Sequence, residues 1–168
     1  MTPGQLHLFN AGHLVLFIVV AIVTRATWRR VAGAAAGGAI AGVVALGAIA
    51  VGEANGWWHM AISMEPYPLT LLLLDFTLCG FIFLGTWRLA RRFGWRGLAA
   101  LAAVMAIVGP VRDYLYMAWF PEWGAYAPGA APVLAVSATY LLIGVTGHAV
   151  MRLVAGPARG SQLRRGVS

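Results

Sequence analysis

The chain has no lysine, five carboxylates and one cysteine among its 168 residues. Charged residues make up 10% of it, against roughly a quarter in a soluble domain. With 61% of the residues hydrophobic, that scarcity excludes an ordinary water-soluble globule and indicates a membrane protein. The lone Cys79 excludes an intrachain disulfide. Neither HExxH nor CxxC occurs, so the compact metal motifs are excluded too. The opening stretch MTPGQLHLFNAG holds no charge, and Arg25, Arg29 and Arg30 come after the first apolar run. That order reverses a signal peptide and predicts a retained helix.

What is present is arginine. All 12 basic residues are Arg, and 11 of them lie in three clusters between or beyond the apolar runs. Loop clusters of this kind set topology first and contact anionic lipid second; nucleic acid is not an expected partner. Five runs approach the ~20 residues that span hydrocarbon: about 6–24, 32–52, 68–87, 97–118 and 131–152. Arg25, Arg29 and Arg30 follow the first, Arg88, Arg91, Arg92 and Arg96 the third, and Arg152, Arg159, Arg164 and Arg165 the fifth. The loops 53–67 and 119–130 hold no basic residue. The predicted fold class is an all-α membrane bundle of five helices, N-terminus outside and C-terminus cytoplasmic, in a bacterial inner membrane. Trp57, Trp58, Tyr67, Trp119, Trp123 and Tyr126 would form an outer aromatic belt, and Trp28, Trp87 and Trp95 an inner one. Residues 1–155 read as one bundle and 156–168 as a basic cytoplasmic tail. The second run is built from small residues, with Gly33 and Gly37, then Gly38 and Gly42, four apart. Close helix packing explains them without a ligand.

The stretch GPVRDYLYMAWFPEW places Arg112 and Asp113 inside an apolar run. An ionisable residue there marks a functional site by default. If runs three and four form a hairpin about RRFGWRG, Asp75 and Arg112 are equidistant from its centre and therefore level, about 10 Å inside the aromatic belt. An Asp75–Arg112 ion pair is the economical expectation, and it is open to a purely structural reading. Neighbouring helix positions differ by about 100°, so Arg112 and Asp113 are not expected to share one partner. Pro110 is a candidate kink beside them. Glu53, His59, Glu65, His7 and His13 also fall on the outer side, which suggests a polar pocket open to that face.

Several chemistries suit such a pocket. His13, Glu53, His59 and Asp113 are metal-ligand types, but their spacing matches no compact motif; no metal is assigned, and His13 and His59 come nearest. Haem needs two histidines at matched depth on facing helices, which His148, near the cytoplasmic end, does not supply. No cofactor is assigned. Proton chemistry on an isoprenoid-like lipid needs a carboxyl group in apolar surroundings and aromatic faces. Glu53, Asp113 and Arg112 are the candidate catalytic residues, and Asp75, Tyr114, Tyr116, Trp57, Trp58 and His59 the candidate substrate contacts.

EANGWW, GPVRDY and MRLVAGPA together resemble stretches of small uncharacterised multi-span membrane proteins of bacteria. The E-x-x-G step at Glu53 and Gly56, before a proline-bearing loop, is also similar to the carotenoid-biosynthesis membrane family. That resemblance implies an apolar isoprenoid substrate and no particular catalytic residue. The expected partners are membrane lipid and either a hydrophobic small molecule or other membrane subunits, with homo-oligomerisation open. The competing class is a non-catalytic accessory subunit of a larger membrane complex. Five spans without inverted repeats speak against a transporter.

Overall fold

The computed structural model describes residues 3–61 and 68–156. Four helices account for most of them: α1 (Pro3–Val23), α2 (Trp28–Ala54), α3 (Pro68–Trp119) and α4 (Ala130–Ala155). Two short strands, β1 (Trp58–Met60) and β2 (Gly124–Tyr126), pair antiparallel with Trp58 opposite Tyr126. Three helices among the described residues are long and apolar enough to cross a membrane: α2, the stretch Phe76–Trp119 of α3, and α4. α1 contributes a shorter apolar stretch, His7–Val23. Leu8, Leu14, Val15, Ile18 and Ile22 of α1 and Leu134, Leu142, Val145 and Leu153 of α4 are exposed. Apolar faces of that extent suit lipid and not water.

α3 is 52 residues long and is not one rod. At Gly94 the backbone takes φ 60° and ψ −145°, a region that is open to glycine because it has no Cβ. The chain folds at that point, so that Thr86 before the break and Met105 after it line one groove against α4. The runs 68–87 and 97–118 are the two limbs of this element. The arginine-rich stretch between them, read from sequence as a turn, is helical except at the break. Arg, Leu and Ala are good helix formers, so a single glycine makes the turn.

α2 is the hub and packs against both α3 and α4. A Cβ added at Gly33 would lie 2.9 Å from the Met151 carbonyl oxygen, and at Gly37 2.6 Å from that of Gly147. Only glycine admits such an approach, which carries α2 onto the α4 backbone. Phe83 of α3 fills the space beside Gly37 and Gly147, in a core with Phe17, Leu84, Trp87, Ile143 and Met151.

This packing sorts the charges by end. Arg88 donates to the Thr24 carbonyl, and Gly33 meets Met151, so the arginines after α1, around Gly94 and at Arg152 share one end. Glu53, His59, Glu122 and the paired strands lie at the other. The aromatic belts are thinner than the sequence suggests. Trp28, Trp95 and Trp119 are exposed, but Trp58, Trp87 and Trp123 are buried and belong to the packed interior. Trp58 lies over Gly52 and donates its indole N–H to the Ile49 carbonyl, so a small residue drew it inward. Glu65 and Tyr67, the tail from 157 onward and the side chain of Asp75 lie outside what the structure describes.

Candidate functional site

Four residues of GPVRD have separate tasks where α3 meets α4. Gly109 lacks the Cβ that would collide with the Tyr140 ring. Pro110 has no N–H, which leaves the Ala106 carbonyl without its helical partner; Ser137 of α4 donates its hydroxyl to that oxygen at 2.8 Å. The helix continues through Pro110 without a break in its backbone dihedrals. Arg112 and Asp113 then meet the Tyr140 hydroxyl. Ser137 and Tyr140 are three apart, on one face of α4.

The resulting cluster is compact. Arg112 donates from Nε and Nη2 to Asp113 Oδ1 at 3.0 and 2.8 Å. Arg112 Nη2 also donates to Tyr140 Oη. Tyr140 Oη lies 2.9 Å from both Asp113 oxygens. With its lone pair facing Arg112, the Tyr140 proton is directed to Asp113. Oδ1 therefore receives most of the bonds, and Oδ2 keeps the freer lone pairs. The guanidinium also stands over the rings of Tyr116 and Tyr140, at 5.7 and 5.4 Å from their centroids. Adjacent residues do share a partner here, contrary to the 100° argument. Arg112 is long enough to fold back along the helix, and the Tyr140 hydroxyl sits between the two side chains. The depth argument pairs Arg112 with Asp75; its partners among the described side chains are Asp113 and Tyr140.

The other candidates form separate networks. Tyr114 stacks on Tyr126 at 4.4 Å with its hydroxyl buried instead of reaching outward. Burial, then the nearby Asp113 carboxylate and Tyr114, push the Tyr126 hydroxyl above the usual phenol range. Glu53 accepts the Met60 N–H at 2.6 Å and meets His59 Nδ1 at 3.3 Å. It thereby holds β1 against the end of α2, where Gly56 turns the chain at φ 66°. The N–H of Trp57 bonds the Gly52 carbonyl and that of Gly56 the Glu53 carbonyl, a helix-ending pattern that gives the E-x-x-G step a structural role. Trp57 packs beside Trp58. His13 bonds the Phe9 carbonyl and stacks on Phe81, apart from His59. Among the described residues no three of His, Cys, Asp and Glu gather as a metal site.

A groove of about 240 Å³ runs inward from the cluster, with Tyr140 as one of its walls. Leu98, Leu101, Met105, Gly144 and His148 line the rest, and Arg152 belongs to its rim. His148 Nδ1 lies 2.8 Å from Thr86 Oγ, whose own proton goes to the Phe83 carbonyl. The neutral imidazole is thus assigned with its proton on Nδ1, leaving Nε2 an acceptor. Nε2 has no hydrogen-bond partner among the described residues.

Ser137, Tyr140 and Thr86 are the participants that sequence reasoning passed over, and His148 was weighed only as a haem ligand. A signal for the first two was present. Depth matching across the 119–130 loop, as applied across RRFGWRG, sets residues near 137 level with Arg112. Comparison with protein-family models, curated proteins and solved structures finds no match to this chain.

Proposed function

We propose that the protein is a five-span protein of the bacterial inner membrane that admits a lipid-soluble, isoprenoid-like molecule to the α3–α4 groove and presents it to Asp113 and Tyr140 for acid–base chemistry. The observation that carries the reading is Tyr140, which belongs both to the ionised cluster and to the wall of an apolar groove. Asp113 Oδ2 is the base, Tyr140 holds it in place through their hydrogen bond, and Arg112 pairs with Oδ1. An intramembrane ion pair beside a space for an apolar ligand is an arrangement associated with function. Glu53 takes no part in this version, because its carboxylate is occupied by the Met60 N–H and His59.

Five spans are supported by length. The stretch Phe76–Trp119 has 44 residues, which as one rod would reach about 66 Å, twice a bilayer's ~30 Å core. The break at Gly94 lets it cross twice, with its arginine-rich fold at one surface. α1, at 21 residues, is long enough to supply the fifth span. The arginine bias favours the N-terminus outside and the C-terminus in the cytoplasm.

A second reading, an accessory subunit with a structural clamp, is favoured by the closure of the cluster: Arg112, Asp113 and Tyr140 bond one another and tie α3 to α4. Native mass spectrometry after gentle extraction separates the two. A small apolar ligand is expected on the wild type and on Asp113→Asn, and lost from Gly144→Leu, which fills the groove. Partner chains in fixed stoichiometry with no ligand would replace the enzyme reading by the subunit reading.

A further inference from the structure

The turn from α1 to α2 is built at an unusual residue. The Ala26 N–H bonds the Ala21 carbonyl and the Arg25 N–H bonds the Ile22 carbonyl, both at 2.9 Å. That pair of bonds requires a left-handed residue at its penultimate position, normally glycine. Arg25 holds the position at φ 46°, the one described non-glycine residue with positive φ. A β-carbon is disfavoured in that conformation. The equivalent turn after α2 uses Gly56, so an arginine here carries a conformational penalty that its counterpart avoids.

Other arginines converge on the same turn. Arg30 Nη2 donates to the Arg25 carbonyl at 2.6 Å, and Arg88 Nη2 to the Thr24 carbonyl at 3.0 Å. Each guanidinium has five N–H donors, so most remain open for another acceptor. Arg88 and Arg91 are near enough to Arg30 to repel it. The ion pairs among the described residues are Glu53–His59 and Arg112–Asp113, neither of them at this end. Directly beside the turn is a groove of about 290 Å³ lined by Phe17, Ile18, Ala21, Ile22 and Val31, with Arg25 on its edge.

We propose that this is a binding site for one anionic phospholipid, its phosphate on Arg25, Arg30 and Arg88 and an acyl chain in the groove beside α1. A phosphate accepts several N–H donors from arginine in a planar, paired geometry and relieves the repulsion between the guanidiniums. An apolar groove lined in part by Arg25, at the turn whose carbonyls Arg30 and Arg88 hold, is complementary to a headgroup attached to a chain, and a free anion would leave the groove empty. The site is independent of whatever chemistry occurs at Asp113.

Arg25→Gly provides the test, because it removes the charge while relieving the backbone, so the fold is expected to survive or gain stability. The protein is prepared in phosphatidylcholine nanodiscs, in phosphatidylcholine nanodiscs with inorganic phosphate, and in nanodiscs containing phosphatidylglycerol. Thermal unfolding and the lipids retained on release into native mass spectrometry are recorded for each. The wild type should be stabilised by phosphatidylglycerol alone and keep one copy of it. Arg25→Gly should melt no lower than wild type in phosphatidylcholine yet keep roughly tenfold less phosphatidylglycerol, and Arg30→Gln and Arg88→Gln should show the same loss. Equal retention by wild type and all three variants would overturn the site. Equal stabilisation by inorganic phosphate would overturn the lipid assignment.

Discussion

α4 is held twice, by two different kinds of contact. Toward the acidic end Ser137 and Tyr140 reach α3 through hydrogen bonds to the Ala106 carbonyl and the Arg112–Asp113 pair. Toward the basic end Gly147 and Met151 meet α2 through backbone approach, with Gly33 and Gly37 opposite and Phe83 wedged beside them. In lipid the apolar environment does not drive helices together, so association rests on close packing or on polar bonds. The acidic half relies on polar bonds to α3, and the basic half on backbone approach to α2 together with the Thr86–His148 contact. Backbone contact closes the space between α2 and α4 at Gly33 and Gly37, and the groove lies on the α3 side of α4.

The contrast can be broken most severely at Asp113. Asp113→Ala leaves Arg112 without its anion and should destabilise the protein by about 3 kcal/mol, measured by thermal unfolding in detergent. Adding Arg112→Leu should restore most of that loss; if it restores none, the pair does more than neutralise itself. In the close-packed half, Gly37→Ala forces a methyl group against the Gly147 carbonyl and should cost about 2 kcal/mol. Gly47→Ala, on the same helix with nothing within 4 Å of the new atom, should cost nothing by the same assay. Equal effects at Gly37 and Gly47 would remove the basis for close packing. The smallest expected effect is Ser137→Ala, which strands the Ala106 carbonyl opposite Pro110 and should cost about 1 kcal/mol. A Pro110→Ala background should erase most of that loss, since the helix then supplies its own donor.

Much of the framework was legible from the residues. The apolar runs correspond to helices whose ends shift by a few residues, such as α2 beginning at Trp28 and not near 32. The small-residue stripe in α2 is the packing surface it looked like. Legibility stopped at rotation about the helix axis. Depth arithmetic reads only the level of a residue along the membrane, and at the level of Arg112 it singles out Asp75. Which neighbour Arg112 faces is set by how α3 and α4 lie together, and that depends on Gly109 admitting the Tyr140 ring. The tryptophans show the same limit. A belt is inferred from position along the chain, but Trp58 and Trp123 are placed by what stands beside them, Gly52 for one and the Phe120 ring for the other.

The sequence by itself determined that this is a helical chain apolar enough for a membrane, and which segments carry the arginines and which the acids. Those properties add up residue by residue along the chain and need no knowledge of neighbours. Only the tertiary structure decided that Arg112 answers to Asp113 and Tyr140, that His148 keeps an open nitrogen beside a groove, and that Arg25, Arg30 and Arg88 meet at one turn. Each of these rests on at least one contact between groups far apart in sequence, Arg112 with Tyr140, Thr86 with His148 and Arg88 with the Thr24 carbonyl, that brings them within about 3 Å, the reach of a hydrogen bond, and no one-dimensional pattern specifies such a meeting.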